Sequence, residues 1–132
     1  MAVLNYKFKL WMVNNEGEAV FGDGVAELIE CVDRLHSLVE ASRQLNMSYR
    51  YALHRISLAE KRLGESLITR VRGGAKGGGS SEVTLYGKNL VSKYRKIKRE
   101  LEAFLEDYNT DGYTRNSILT SEKEKTLNKG DE

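Results

Sequence analysis

Few residues of this 132-residue chain are equipped for bond-making chemistry. The two histidines, His36 and His54, fall on different predicted elements, and neither has a second ligand at a spacing that would hold a metal. Cys31 is the single cysteine, which excludes an internal disulfide framework and a cysteine-rich zinc site. It lies beside an apolar helical stripe and reads as a small buried hydrophobe rather than a nucleophile. Glu100, Glu102 and Glu106 read as the solvated face of a helix. Lys76 sits in Arg72-Gly73-Gly74-Ala75-Lys76-Gly77-Gly78-Gly79-Ser80-Ser81, where glycine lets backbone N–H groups come close to phosphate. A nucleotide-binding phosphate loop needs Lys followed at once by Ser or Thr and then a helix. Lys76 is instead followed by glycines and a strand-like run. No catalytic residue, metal site or cofactor is predicted, and the chain is read as a non-enzyme.

Charge points to a different kind of chemistry. The net charge of +2 conceals a strong asymmetry: 3 basic against 7 acidic residues in 1–42, 14 against 3 in 43–99, and 4 against 9 in 100–132, or −4, +11 and −5. A block at +11 is the electrostatic footprint of a polyanion binder, the competing reading being a solvated basic face with no partner. Within that block Ser48-Tyr49-Arg50-Tyr51, then His54-Arg55, mix hydrogen-bonding, aromatic and cationic groups suited to a nucleic acid.

The elements that would carry these residues are legible from periodicity. Tyr6, Phe8, Leu10 and Met12 alternate with Lys7, Lys9 and Trp11, as in a half-buried strand. Asn14-Asn15-Glu16-Gly17 is a turn, and 18–21 can return as the second strand of a hairpin. From Val25 the period becomes helical, with Asp23 the expected N-cap and an end near His36. Ser37 caps a short helix over 38–45, with Glu40 completing a capping box. Asn46-Met47-Ser48 breaks the chain, and Ser48 caps a third helix stopped by Gly64. That helix turns Ala52, Ile56, Ala59 and Leu63 inward, with Leu53 beside them, and Tyr49, Arg50, His54, Arg55 and Arg62 outward. Strands are predicted at 67–71 and 82–85, on either side of the glycine-rich stretch. A long helix, capped by Thr84 and locally weakened by Gly87, then runs to about Tyr108. Residues 110–132 are predicted as a mobile polar tail, leaving one domain over 1–109.

Two short helices joined by a tight turn, the second with a basic outer face, describe a helix-turn-helix, whose second helix enters the major groove, the competing reading being an ordinary αα-hairpin inside a helical core. A following hairpin makes the helix-turn-helix winged. The predicted fold is therefore mainly α with small β hairpins: a winged helix-turn-helix with an N-terminal β-hairpin and a long C-terminal helix. Ser48, Tyr49, Arg50, Tyr51, His54 and Arg55 would face base edges, and Ser37, Arg43 and Arg62 are candidate phosphate contacts. Arg72, Lys76 and nearby amides would grip the flanking backbone. In the last helix Leu90, Tyr94, Ile97, Leu101, Phe104 and Tyr108 repeat at intervals of 4, 3, 4, 3 and 4, with Leu105 alongside. That seam asks for a partner helix, most simply its own copy in a homodimer, the competing reading being that it packs wholly on its own domain or on the N-terminal hairpin.

Phe21-Gly22-Asp23-Gly24, Met47-Ser48-Tyr49-Arg50-Tyr51-Ala52, the glycine-rich stretch 70–79, Leu85-Tyr86-Gly87 and Lys9-Leu10-Trp11-Met12 together resemble the N-terminal DNA-binding domain of the molybdate-responsive ModE family of regulators. The resemblance implies a LysR-like winged helix-turn-helix that dimerises through its first and last helices and binds a palindromic operator in double-stranded DNA. This chain has Leu53 where the family usually has Trp, and Ala41-Ser42 in place of an Ala-Ala pair. Residues 110–132 cannot form the family's molybdate-binding modules, so direct oxyanion sensing is not expected. The competing function is a protein-interaction module that dimerises, or pairs with a full-length relative, without binding specific DNA. No apolar run approaches the ~20 residues of a membrane helix, and Met1–Lys7 lacks the pattern of a secretion signal, so a cytoplasmic protein is expected.

Overall fold

A computed structural model describes residues 2–71 and 80–109. Its elements are β1 (Trp11–Val13), β2 (Ala19–Gly22), α1 (Asp23–Leu35), α2 (Leu38–Gln44), α3 (Tyr49–Leu63), β3 (Ile68–Val71), β4 (Ser80–Val83) and α4 (Leu85–Glu106). This is the mainly helical chain with two small antiparallel hairpins that the sequence predicts, in the order hairpin, helix, helix-turn-helix, hairpin, helix. The predicted mobility of 110–132 and the tip of the glycine-rich hairpin fall outside the described residues. The chain divides into two compact units, one of Leu10–Lys96 and one formed by the parts of Met1–Lys9 and Ile97–Glu132.

The larger unit is built on α1. Its apolar stripe buries Val25, Leu28, Ile29, Cys31 and Val32 among Val20, Phe21, Leu38, Ala41, Ala52, Ile56, Ala59, Leu67, Val83 and Tyr94. Cys31 is thus the buried small hydrophobe expected of it. β1 pairs with β2 through Trp11↔Gly22, Met12↔Phe21 and Val13↔Ala19, with an irregularity after Met12. The first strand is shorter than its alternation predicts. β2 holds four residues, so 6–10 have no strand to pair with, although Phe8, Leu10 and Met12 remain half-buried while Lys7, Lys9 and Trp11 are exposed. Asp23 is not the cap of α1 but its first residue, because β2 extends through the extended N-cap Gly22. The Asp23 carboxylate instead lies 2.5 Å from the Tyr94 hydroxyl, which is also 3.0 Å from the Leu10 carbonyl.

α1 and α4 are further tied by Arg95, whose Nε and Nη2 donate to the two carboxylate oxygens of Glu30 at 2.8 Å each. That hydrogen bond raises the Arg95 guanidinium above its already high ordinary pKa. β4 begins and ends earlier than the predicted 82–85, since Thr84 caps α4 by accepting from Gly87 N at 2.9 Å and Leu85 is already helical.

Two expectations for α4 are corrected. Gly87 is not a weak point but a place of close approach: a Cβ there would stand 2.6 Å from the Leu67 carbonyl oxygen and 2.9 Å from Val83 Cγ1. Tyr94 is not part of an outward seam. It is 0% exposed, its ring edge-on to Phe21 at 5.5 Å. Leu90 is half-buried and packs against the same core.

In the smaller unit Asn109 clasps Tyr6, accepting from its backbone N–H at 2.7 Å and donating to its carbonyl at 3.3 Å. Tyr108 meets the Tyr6 ring edge-on at 6.5 Å and the Phe104 ring at 5.7 Å. Ile97, Leu101, Phe104 and Tyr108 are exposed and Leu105 is half-buried.

Candidate nucleic-acid interface

The helix-turn-helix is assembled from capping and small-residue packing. Ser37 Oγ accepts from Glu40 N at 3.0 Å and starts α2 as predicted, while the Glu40 carboxylate turns to Arg43 at 2.6 Å. α2 ends at Leu45, and Asn46 takes a left-handed φ of 58°, a conformation asparagine tolerates better than most residues. Met47 N then reaches back to the Ser42 carbonyl at 2.9 Å, which closes the turn. Ser48 Oγ accepts from Tyr51 N at 3.0 Å and starts α3, and Gly64, at φ 75°, stops it. Ala41 and Ala52, both fully buried, allow the close approach of α1, α2 and α3. The phase of α3 is thereby fixed: Ala52, Ile56 and Ala59 face the core, Leu53 and Leu63 pack beside them, and Arg50, His54, Ser57 and Lys61 are exposed.

The predicted outer residues do not all behave alike. Tyr49, Arg50, Tyr51 and His54 are exposed together on the first turns of α3. Arg55 is half-buried: its Nη1 donates to the Tyr51 hydroxyl at 2.8 Å, and its guanidinium carbon lies 5.7 Å from the Tyr51 ring centroid. Arg62 is drawn off the outer face by the first hairpin. Its Nη1 donates to the Ala19 carbonyl at 2.9 Å and its Nε lies 3.9 Å from Glu18. Arg43 is exposed and paired with Glu40. Ser37 and Ser48 serve as caps. Arg72 and Lys76 lie outside the described residues.

Several structurally important groups carry little sequence signal. Glu60 Oε2 accepts from Leu67 N at 2.8 Å and Ile68 N at 3.2 Å, fixing the turn from α3 into β3. A glutamate on an outward helical phase would not have announced this. β3 and β4 pair from Ile68↔Val83 to Val71↔Ser80, which sets the base of the glycine-rich hairpin and leaves Arg70 exposed on it. That base is held to the end of α1 by His36, whose carbonyl accepts from Ser81 N at 3.0 Å and whose Nδ1 lies 3.1 Å from Glu82. Among the described residues there is no group of acidic, histidine or cysteine side chains able to hold a metal, and no helix long and apolar enough to cross a membrane.

No family model matches the chain. The molybdenum transport protein ModE of Azotobacter vinelandii is 33% identical over 79 residues, which cover 60% of this chain and 29% of that protein. The chain thus spans less than a third of the length of its relative, and the match bears out the resemblance to the N-terminal part of ModE-type regulators. A solved structure of Vibrio fischeri DarR, an LTTR-family protein in complex with DNA, aligns with a TM-score of 0.46 at 21% identity, covering 74% of this chain and 28% of that one.

Proposed function

We propose that this chain is the sequence-specific, double-stranded DNA-binding part of a transcription regulator, with α3 in the major groove. The observation that carries the reading is the exposed N-terminal end of α3, where Tyr49, Arg50, Tyr51 and His54 stand on a helix anchored by buried Ala52, Ile56 and Ala59. Arg50 has the fork geometry to bond O6 and N7 of a guanine, a contact worth about 1–3 kcal/mol of discrimination. Exposed Arg43 and the hydroxyls of Ser37 and Ser48, which retain a proton to donate while they accept as caps, suit phosphate oxygens. Arg72, Lys76 and their neighbouring amides would grip the backbone beside the groove. The protein works as a homodimer on a palindromic operator, its half-sites about one helical turn apart or a multiple of it. The exposed apolar residues Ile97, Leu101, Phe104 and Tyr108, with Leu105, would meet their copies.

Selection of bound duplexes from a random pool, with and without molybdate or tungstate, tests the reading. A symmetric consensus indifferent to oxyanion is expected. Arg50→Ala should relax that consensus at one position in each half, whereas Lys76→Ala should weaken all duplexes alike and lower the salt slope by about 1. No enrichment at physiological salt would instead favour a protein-interaction module.

A further inference from the structure

Arg55 stands at the edge of the recognition face without being free to use it. Its Nη1 donates to the Tyr51 hydroxyl at 2.8 Å, one helical turn away, with the guanidinium near the ring. The other side of the guanidinium is closed by the start of α1: a Cβ on Gly24 would lie 2.9 Å from Arg55 Nη2 and 3.5 Å from its central carbon. Gly24 therefore leaves the space into which the arginine folds back. Tyr51 remains 47% exposed, so its hydroxyl stands at the surface and accepts from a guanidinium whose other side lies beside Gly24.

We infer that Arg55 is a positioning residue for Tyr51, and that the Gly24 gap and the Arg55 guanidinium together make the Tyr51 hydroxyl a fixed, donor-only group for the duplex. A phenol oxygen has one effective acceptor direction and one proton. Arg55 occupies the acceptor direction, so the proton is what Tyr51 offers outward, and accepting a charged donor polarises that O–H toward stronger donation. Its target is a hydrogen-bond acceptor of DNA, either a base edge such as a purine N7 or a phosphate oxygen. The second half of the inference rests on the proposed function above; the first half, the contact itself, does not.

The test uses two substitutions that leave the charge unchanged. Tyr51→Phe keeps the ring and removes the proton. Gly24→Ala adds a methyl that the flexible arginine tip can evade, so the fold is kept while the guanidinium is displaced. Thermal unfolding of Gly24→Ala should match or exceed that of the parent, because alanine suits a helix better than glycine. In the free protein with 13C-labelled tyrosine, the Tyr51 Cζ resonance, assigned from its loss in Tyr51→Phe, should move in Gly24→Ala while the resonances of Tyr6, Tyr94 and Tyr108 stay. A Tyr51 resonance that does not move overturns the positioning role whatever the DNA result. On the selected duplex, Tyr51→Phe should lose about 5- to 10-fold in affinity, Gly24→Ala should lose affinity in the same sense, and Gly24→Ala in the Tyr51→Phe background should lose nothing more. A further loss in that background shows that the glycine acts elsewhere and overturns the inference. Relaxed preference at one position identifies a base edge as the target; uniform weakening identifies a phosphate. If the parent chain binds no duplex selectively, the donor role falls with the proposed function, and the resonance shift still decides the contact.

Discussion

At the scale of single residues, helical phase told where a side chain leaves its helix but not where it ends. Arg50 leaves α3 on the side away from Ala52, Ile56 and Ala59, whereas Arg55 and Arg62 leave from the flank of that buried stripe, and an arginine tip travels far from its Cα. Arg62 returns to the first hairpin, where the Ala19 carbonyl accepts from it, and Arg55 to Tyr51, one turn back on the same helix. Only the fold could reveal the first partner, whereas the i, i+4 spacing of the second stands in the sequence. Tyr94 is the sharpest instance. Its heptad spacing is correct, but the hydroxyl finds Asp23 at 2.5 Å and Leu10 at 3.0 Å, so the ring is consumed by its own chain. Tyr94→Phe keeps the ring against Phe21 and removes the single proton that the hydroxyl shares between these two acceptors. It should lower unfolding free energy by about 1–2 kcal/mol, measured by urea denaturation, with no change in oligomeric state. A change in association without a change in stability would restore Tyr94 to an outer seam.

At the scale of elements, the helices were legible because their periodicity and caps agree. Ser37, Ser48, Thr84 and Gly64 all stand where local chemistry asks for them, and each is used. The strands were less so. Their ends depend on the partner strand: β1 stops where β2 has nothing left to pair, and β4 is displaced toward Ser80 by the cap of α4. Gly87 shows how an element-level rule can mislead. Intrinsic propensity makes a glycine in a helix a defect, and Gly→Ala there would ordinarily stabilise by about 0.8–1 kcal/mol. Here the added methyl meets the Leu67 carbonyl, a backbone atom with little room to move between α3 and β3. Gly87→Ala is therefore expected to destabilise by about 1–3 kcal/mol, the range for overpacking. The test is chemical denaturation with amide spectra of Ile68–Val71 and Ser80–Val83; an unchanged or raised stability would mean that the helix start shifts freely and the contact is not tight.

At the scale of the molecule, the run of charge along the sequence is partly cancelled within the larger unit. Acidic residues of the N-terminal third reach into the basic block: Glu18 toward Arg62, Glu30 to Arg95, Asp33 toward Lys88 and Glu40 to Arg43. The +11 of residues 43–99 thus overstates the field that remains for a polyanion, and the salt slope of the proposed DNA binding should be smaller than the total implies, since Glu18, Glu30, Asp33 and Glu40 each neutralise a cation of the block. With Tyr94 withdrawn, the proposed self-association rests on the smaller unit, where Phe104 is 64% and Tyr108 57% exposed beside Ile97 and Leu101. An apolar face of this kind on a charged helix is relieved most simply by a copy of itself. Leu101→Asp combined with Phe104→Asp places four carboxylates at a two-fold contact and removes its largest apolar area, while neither side chain belongs to the buried core. Sedimentation equilibrium should give twice the 15.0 kDa chain mass for the parent and the chain mass itself for the double variant, with unchanged helical circular dichroism. The double variant should also bind a palindrome no better than a single half-site, because the second recognition helix is no longer delivered with the first. A variant that remains a dimer, or a parent that is monomeric while binding palindromes, would move the two-fold contact to another surface.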